Sequence, residues 1–405
     1  MVRQSGTAYP VAMAGRSFTR GVLAVLGVLW SASAAQAQDL PRGEIVDSVK
    51  CLADPTESYA LYLPSTYSPA RPWSLLIGFH PGARGRAIVE KYRAAAEQYG
   101  YIVAGSNNSR NGALAVSAQA IQAMSVDLGR RFAIDGNRLY LTGLSGGARV
   151  AMQVALGRSR IAGVIASSAG YPDSQPRASV PFALFGTAGT DDFNYIEMRM
   201  LDRALRTPHR VVIFEGGHQL PPDDVAMDAI EWLELQAMVS GRRPRDEVLI
   251  DRLFAKRQLA IAASGATAAT VHLLHALADD FKGLRDVTEA SARAAALAKQ
   301  PDVRRALARE HDDDDAEARL LDQAVALEAG LTDDARRPDS LQGLRELLTR
   351  LSKQANATTD FPERGRSRRL LRIITMGAPE RTQDQEYLKL LAQFRPPETG
   401  RGGAV

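Results

Sequence analysis

Between residues 57 and 240 short apolar runs alternate with stretches of helical periodicity, and no other feature of the chain limits its fold as tightly. Candidate strands are SYALYLP (58–64), SLLIGFH (74–80), YIVAGS (101–106), RLYLTG (138–143), GVIASS (163–168), FALFGT (182–187) and RVVIFEG (210–216). Helical patterns lie between them, near 86–98, 114–131, 147–157, 193–206 and 222–240. Apolar runs of this kind suit strands covered on both faces, and a helix between successive strands lets them pair in parallel. The expectation is an α/β fold with a doubly wound, mostly parallel sheet. Open sheets of this kind carry their chemistry just beyond the carboxyl ends of the strands.

One such end is Gly143-Leu144-Ser145-Gly146-Gly147, which fits the pattern G-x-S-x-G between a strand and a helix. Glycine is required on both sides because the turn is tight and a side chain there would meet the neighbouring strand or helix. The turn lifts the Ser145 hydroxyl clear of the sheet, at the positive end of the following helix.

A serine hydroxyl attacks only when a base takes its proton, and on this kind of sheet the base follows the serine in the chain. The chain has six histidines: His80, His209, His218, His272, His275 and His311. His80 precedes the serine, and His209 opens a strand at the wrong end. His272 and His275 lie three apart in an apolar helical run, and His311 begins HDDDD. His218 remains, in the loop after VVIFEGG, at a strand's carboxyl end. The acid that orients it should lie between the two, and FALFGTAGTDDFNY offers Asp192, next to the helix start at Phe193, with Asp191 as the alternative. For the oxyanion, one donor is the backbone N–H of Gly146. A second should come from FHPGARG (79–85), where Pro81 has no N–H and the candidates are Gly82 and Ala83.

With these parts in order, residues 57 to 240 resemble the α/β-hydrolase superfamily, in particular secreted polyhydroxybutyrate depolymerase-like and feruloyl or acetyl xylan esterase-like proteins. SYALYLPSTYS, the HPG loop, LTGLSGGAR, FGTAGTDD and EGGH carry the resemblance. It implies a serine ester hydrolase working through an acyl-enzyme, with Ser145, Asp192 and His218 as the triad and with no cofactor and no metal.

Residues 1–37 read as a secretory signal: Arg16 and Arg20 precede the apolar run GVLAVLGVLW (21–30), and Ala35-Gln36-Ala37 closes an A-x-A cleavage site. The apolar run is shorter than the roughly 20 residues that span a bilayer, so stable membrane insertion is not expected. The mature chain would be exported to the periplasm or the exterior, beginning at Gln38. Loss of Arg3, Arg16 and Arg20 takes the formal charge from +4 to +1, which gives nucleic acid no electrostatic handle. The single cysteine, Cys51, can form no internal disulfide and reads as an incidental thiol.

From about residue 243 the pattern becomes helical throughout, rich in Ala, Leu, Arg and Glu. The expected organisation is a catalytic α/β-hydrolase domain over 38–242, an all-α domain over 243–395 and a disordered tail over 396–405. The stretch IAASGATAATVHLLHALADDF resembles a degenerate tetratricopeptide-type unit, and its expected role is packing and scaffolding ahead of binding a protein partner. HDDDD (311–315) lacks the alternating spacing that wraps a cation and reads as a solvated helix start. Three functions follow: an esterase whose substrate extends to polymers, a serine peptidase of the same superfamily, or an inactive binding or scaffold protein acting through its helices. A pocket for an N-terminal amine is not visible in the sequence, and all three catalytic residue types are in place, so the esterase comes first.

Overall fold

The computed structural model describes residues 40–173, 177–357 and 362–395. The expected signal segment and the expected tail lie outside these residues. Eight strands form one sheet: β1 (Ile45–Lys50), β2 (Ser58–Tyr62), β3 (Trp73–Phe79), β4 (Tyr101–Ser106), β5 (Ile134–Leu144), β6 (Ile161–Ser167), β7 (Ala183–Gly189) and β8 (His209–Phe214). Their spatial order is β1-β2-β4-β3-β5-β6-β7-β8. β2 runs antiparallel to both β1 and β4, and every other pair is parallel. This is the doubly wound, mostly parallel sheet expected from the alternation, with one strand, β1, that the apolar pattern did not reveal. IVDSVK is half polar and half exposed, and its pairing with β2 shifts register between Val46 and Val49.

Strand pleating sends alternate side chains to opposite faces. Leu75, Ile77, Leu141, Val164 and Leu184 point toward α2 (Leu114–Arg131) and α3 (Gly146–Leu156), where Met124, Leu128, Ala151 and Met152 meet them. Leu76, Val103, Tyr140, Ile165 and Phe185 point the other way, onto α1 (Gly85–Tyr99) and α5 (Asp223–Val239) with Ile88, Tyr92, Ile230 and Trp232. Each large side chain removed from water in this way contributes about 1.5–3 kcal/mol before the entropy of ordering it is charged.

After α4 (Tyr195–Ala204) and α5 the chain is helical: α6 (Glu247–Ala263), α7 (Ala268–Phe281), α8 (Thr288–Ala298), α9 (Pro301–Gly330), α10 (Arg337–Ala355), α11 (Pro362–Arg381) and α12 (Gln385–Phe394). Asp246, Thr267 and Asp384 accept backbone N–H groups at the starts of α6, α7 and α12, where apolar runs begin after a short polar residue. The lengths vary from 10 to 30 residues. These helices share apolar clusters with the sheet-bearing part: Leu235 and Met238 of α5 pack with α6 and α7, and Ile196 of α4 packs with α9, α10 and α11. Among the described residues no helix is long and apolar enough to cross a membrane.

HDDDD corrects its expectation. It lies inside α9, not at its start, and Asp314 is buried against Arg199 at 3.0 Å while Asp315 meets Arg203 at 2.8 Å and Asp313 meets Arg366 at 3.2 Å. The run is acidic because it faces arginines of α4 and α11. Cys51 is also buried, and burial, with Asp127 beside it, pushes its thiol up to about 12, so it stays protonated.

Candidate active site

The backbone marks one end of the sheet. Among the described residues three non-glycine positions have positive φ: Ala83 at 56°, Ser145 at 54° and Ser168 at 58°. They follow β3, β5 and β6, so this strained backbone gathers at the carboxyl edge where chemistry was sought. Positive φ costs an ordinary residue of order 1–3 kcal/mol and persists where the surroundings enforce it. At Ser145 the enforcement comes from its N–H, which donates to Ser167 O at 2.8 Å, and from two glycines. A Cβ on Gly143 would lie 2.3 Å from the backbone of Gly147, and one on Gly147 would lie 2.1 Å from Phe79 O. The elbow closes only with glycine at both places.

The loop after β7 is bonded to the end of β8 and the loop that follows it: Thr190 N–H to Phe214 O (2.9 Å) and Asp191 N–H to Gly216 O (2.8 Å) between backbones, and Gly216 N–H to the Thr190 side-chain Oγ1 (3.3 Å). Gly189 permits the approach, since a Cβ there would sit 2.3 Å from Gly216 O. These bonds bring Asp192 to His218, whose Nδ1 lies 2.8 Å from Asp192 Oδ1. The same oxygen accepts the Asn194 N–H at 2.8 Å, and the carboxylate is fully buried. Among the described residues Asp191, the alternative, makes no side-chain hydrogen bond to the histidine; its backbone N–H and carbonyl are bonded to Gly216 and Arg372. Phe193 stacks on the His218 ring, centroids 4.0 Å apart and planes 22° apart. When Nδ1 donates to the carboxylate, the other ring nitrogen, Nε2, is the one placed to accept a proton. Ser145 is partly exposed, and no hydrogen bond joins its hydroxyl to His218 among the described residues.

Gly146 is the first residue of α3, so its N–H has no partner within the helix. The two candidates for a second donor are already engaged: Gly82 N–H donates to His80 Nδ1 at 3.0 Å, and Ala83 N–H donates to His80 O at 3.0 Å. His80 thus holds the loop. Its one acceptor nitrogen is taken by Gly82, so the Arg84 guanidinium 3.0 Å from Nε2 is a contact between a charge and an N–H edge. Burial first, and Arg84 second, lower the His80 pKa to about 4, so the ring is neutral at neutral pH. Sequence reasoning did not single out Asn111, whose carboxamide lies against the elbow: a Cβ on Gly146 would fall 1.8 Å from its Oδ1.

Three further contacts tie the parts together, and none had a local sequence signal. Arg149, one turn beyond the serine, donates bidentately to Glu197 of α4 (2.8 and 2.7 Å) and to Tyr171 O, while Glu197 accepts the Gly170 N–H. Burial opposes the Arg149 charge, but Glu197 outweighs it and the pKa rises above the ordinary guanidinium value. Asn194 Nδ2 donates to Ser168 O at 2.7 Å, which fixes the end of β6 to the acid loop. From α11, Arg369 donates to Thr190 O at 2.8 Å and Arg372 to Asp191 O at 3.1 Å.

His209, His272 and His311 lie elsewhere: His209 contacts Thr207 O and Asp202 O, His272 meets Glu310, and His311 contacts Arg203. Among the described residues no group of three or more His, Cys, Asp or Glu side chains is placed to hold a metal ion. A cavity of about 260 Å³ between the sheet, α2 and α3 is lined by Leu75, Phe79, Ile121, Val154 and Arg158, none of them part of this site.

The sheet, with a serine elbow leaving its fifth strand and a paired acid and histidine on the loops after the seventh and eighth, has the α/β-hydrolase fold. No protein-family model matches the chain, and no curated protein matches it. Solved structures similar to it include an S-formylglutathione hydrolase from Staphylococcus aureus, 16% identical, with a TM-score of 0.37 over 47% of this chain and 99% of that one. A feruloyl esterase module from Clostridium thermocellum is 14% identical, with a TM-score of 0.37 over 49% of this chain and 92% of that one. Esterase B from Lactobacillus rhamnosis is 16% identical, with a TM-score of 0.39 over 51% and 92%.

Proposed function

We propose that this chain is an exported serine hydrolase that cleaves carboxylic esters through Ser145, Asp192 and His218. The observation that carries the reading is the 2.8 Å contact of His218 Nδ1 with a buried Asp192, set beside a serine held at positive φ on a strand-to-helix elbow. Asp192 fixes the imidazole tautomer, and Nε2 takes the Ser145 proton as Oγ attacks the ester carbonyl. The new C–O bond places charge on the carbonyl oxygen, which the Gly146 N–H and the start of α3 meet. His218 then returns the proton to the leaving alcohol, and water repeats the sequence on the acyl-enzyme. A second donor comes from Gly82 or Ala83 once that loop releases His80, while Asn111 is a side chain already beside the elbow.

The substrate is an ester, with polymeric esters included, and the reaction needs no cofactor. Export rests on residues 1–37, and the N-terminus of the mature protein is expected at Gln38. The test is labelling by a fluorophosphonate probe with hydrolysis of short-chain nitrophenyl esters. Wild type should label and turn over, Ser145→Ala should do neither, and Asp192→Asn should lose roughly 10⁴-fold in kcat. A folded wild type that neither labels nor hydrolyses would overturn the reading in favour of a scaffold protein.

A further inference from the structure

The helical segment after residue 243 reaches the candidate site at the acid loop, through its backbone and through Phe193. The N–H groups of Thr190 and Asp191 are spent on the loop after β8, and their carbonyls turn toward α11. There Arg369 Nη1 donates to Thr190 O at 2.8 Å and Arg372 Nη1 to Asp191 O at 3.1 Å. Arg369 is itself locked: its Nε donates to Glu317 Oε1 at 3.0 Å, Nη2 donates to Glu317 Oε2 at 2.5 Å, and its guanidinium lies 4.1 Å from the Tyr195 ring centroid. Glu317 is buried in α9, so the guanidinium has no freedom to turn away. Phe193, next in the chain after Asp192, packs against the apolar cluster of α9 to α12 and stacks on His218.

We propose that Arg369 and Arg372 are positioning residues that hold the acid loop, so that the helical segment sets the geometry of the Asp192–His218 pair. The proposal rests on the triad reading above. A guanidinium is suited to this task because it is planar, always charged, and makes several directed donations at once. Two adjacent carbonyls held from outside and two adjacent N–H groups held from inside leave the Asp192 carboxylate one place to go. Misplacement of a catalytic group by about 1 Å can cost roughly 100-fold in rate.

Arg372 is the cleaner target, because removing Arg369 would leave Glu317 buried and unpaired. The experiment compares full-length wild type, R372M and R372K by kcat, KM, probe labelling rate and thermal midpoint, with the downfield His218 Nδ1–H proton signal followed by NMR. R372M should lower kcat roughly 10- to 100-fold with KM and the midpoint nearly unchanged, and R372K should recover part of it. In a D192N background R372M should change kcat by less than about twofold, since the group through which it acts is gone. An equal loss in both backgrounds, or a loss that tracks the thermal midpoint, would show a structural role and overturn the proposal. If wild type turns over no ester, a His218 signal that shifts in R372M supports the positioning role while the esterase reading falls; an unchanged signal overturns the positioning role.

Discussion

At His80 one side chain decides the shape of a loop through its protonation state. Nδ1 must stay unprotonated to accept the Gly82 N–H, and burial with Arg84 nearby keeps the folded pKa near 4, below the ordinary histidine value of 6.5. The unfolded chain therefore binds a proton first as pH falls. The stabilisation is fully present above about pH 6.5 and is lost as pH drops toward 4, a contribution of about 1–3 kcal/mol. Urea unfolding of His80→Gln between pH 4 and 8 should show a flatter acid limb than wild type; parallel curves would remove His80 from the account. The same scale explains what the sequence disclosed. Ser145 stood between glycines that a tight turn requires, and His218 was the one histidine after the serine at a strand's carboxyl end. The choice between Asp191 and Asp192 turned on which carboxylate the loop directs inward, which spacing does not encode, and Asp192 is the one against the histidine.

Elements were legible in proportion to how regularly they are buried. The seven strands with apolar runs all form, even β8 at one edge of the sheet, whereas β1 at the other edge has its three apolar residues broken up by polar ones and a register shift in its pairing. Helix ends moved by a residue or two: α4 begins at Tyr195, after Asp192 and Phe193 have been drawn into the site. The acidic run misled because composition alone cannot tell a solvated carboxylate from one facing an arginine on another helix. The elbow gives a test at this scale. Gly147→Ala would push a methyl group to within 2.1 Å of the Phe79 carbonyl, and neither backbone can yield without separating α3 from β3. We expect a loss of about 3 kcal/mol or more with little soluble protein, measured by denaturant melting. A variant that melts like wild type would mean that the turn is not closed as described.

For the whole molecule, the question is how far the helices after residue 243 stand apart from the sheet. Asp280 of α7 answers in part: buried, it accepts from Arg210 Nη1 of β8 at 2.6 Å and from Trp232 Nε1 of α5 at 2.8 Å. Asp280→Ala leaves a guanidinium and an indole N–H without their partner, and should cost about 3–5 kcal/mol in urea unfolding. A change under about 1 kcal/mol would show that the helices contribute little to the stability of the sheet. These couplings were invisible in the sequence because their partners are far apart along it. The bonds from Arg369 and Arg372 join residues 179 and 181 positions apart. A chain emerging from the ribosome N-terminus first has its elbow and its histidine in hand on the order of ten seconds before α11 is made. On the proposed geometry the nucleophile therefore works well below its full rate until α11, made after both the elbow and the histidine, has docked on the acid loop.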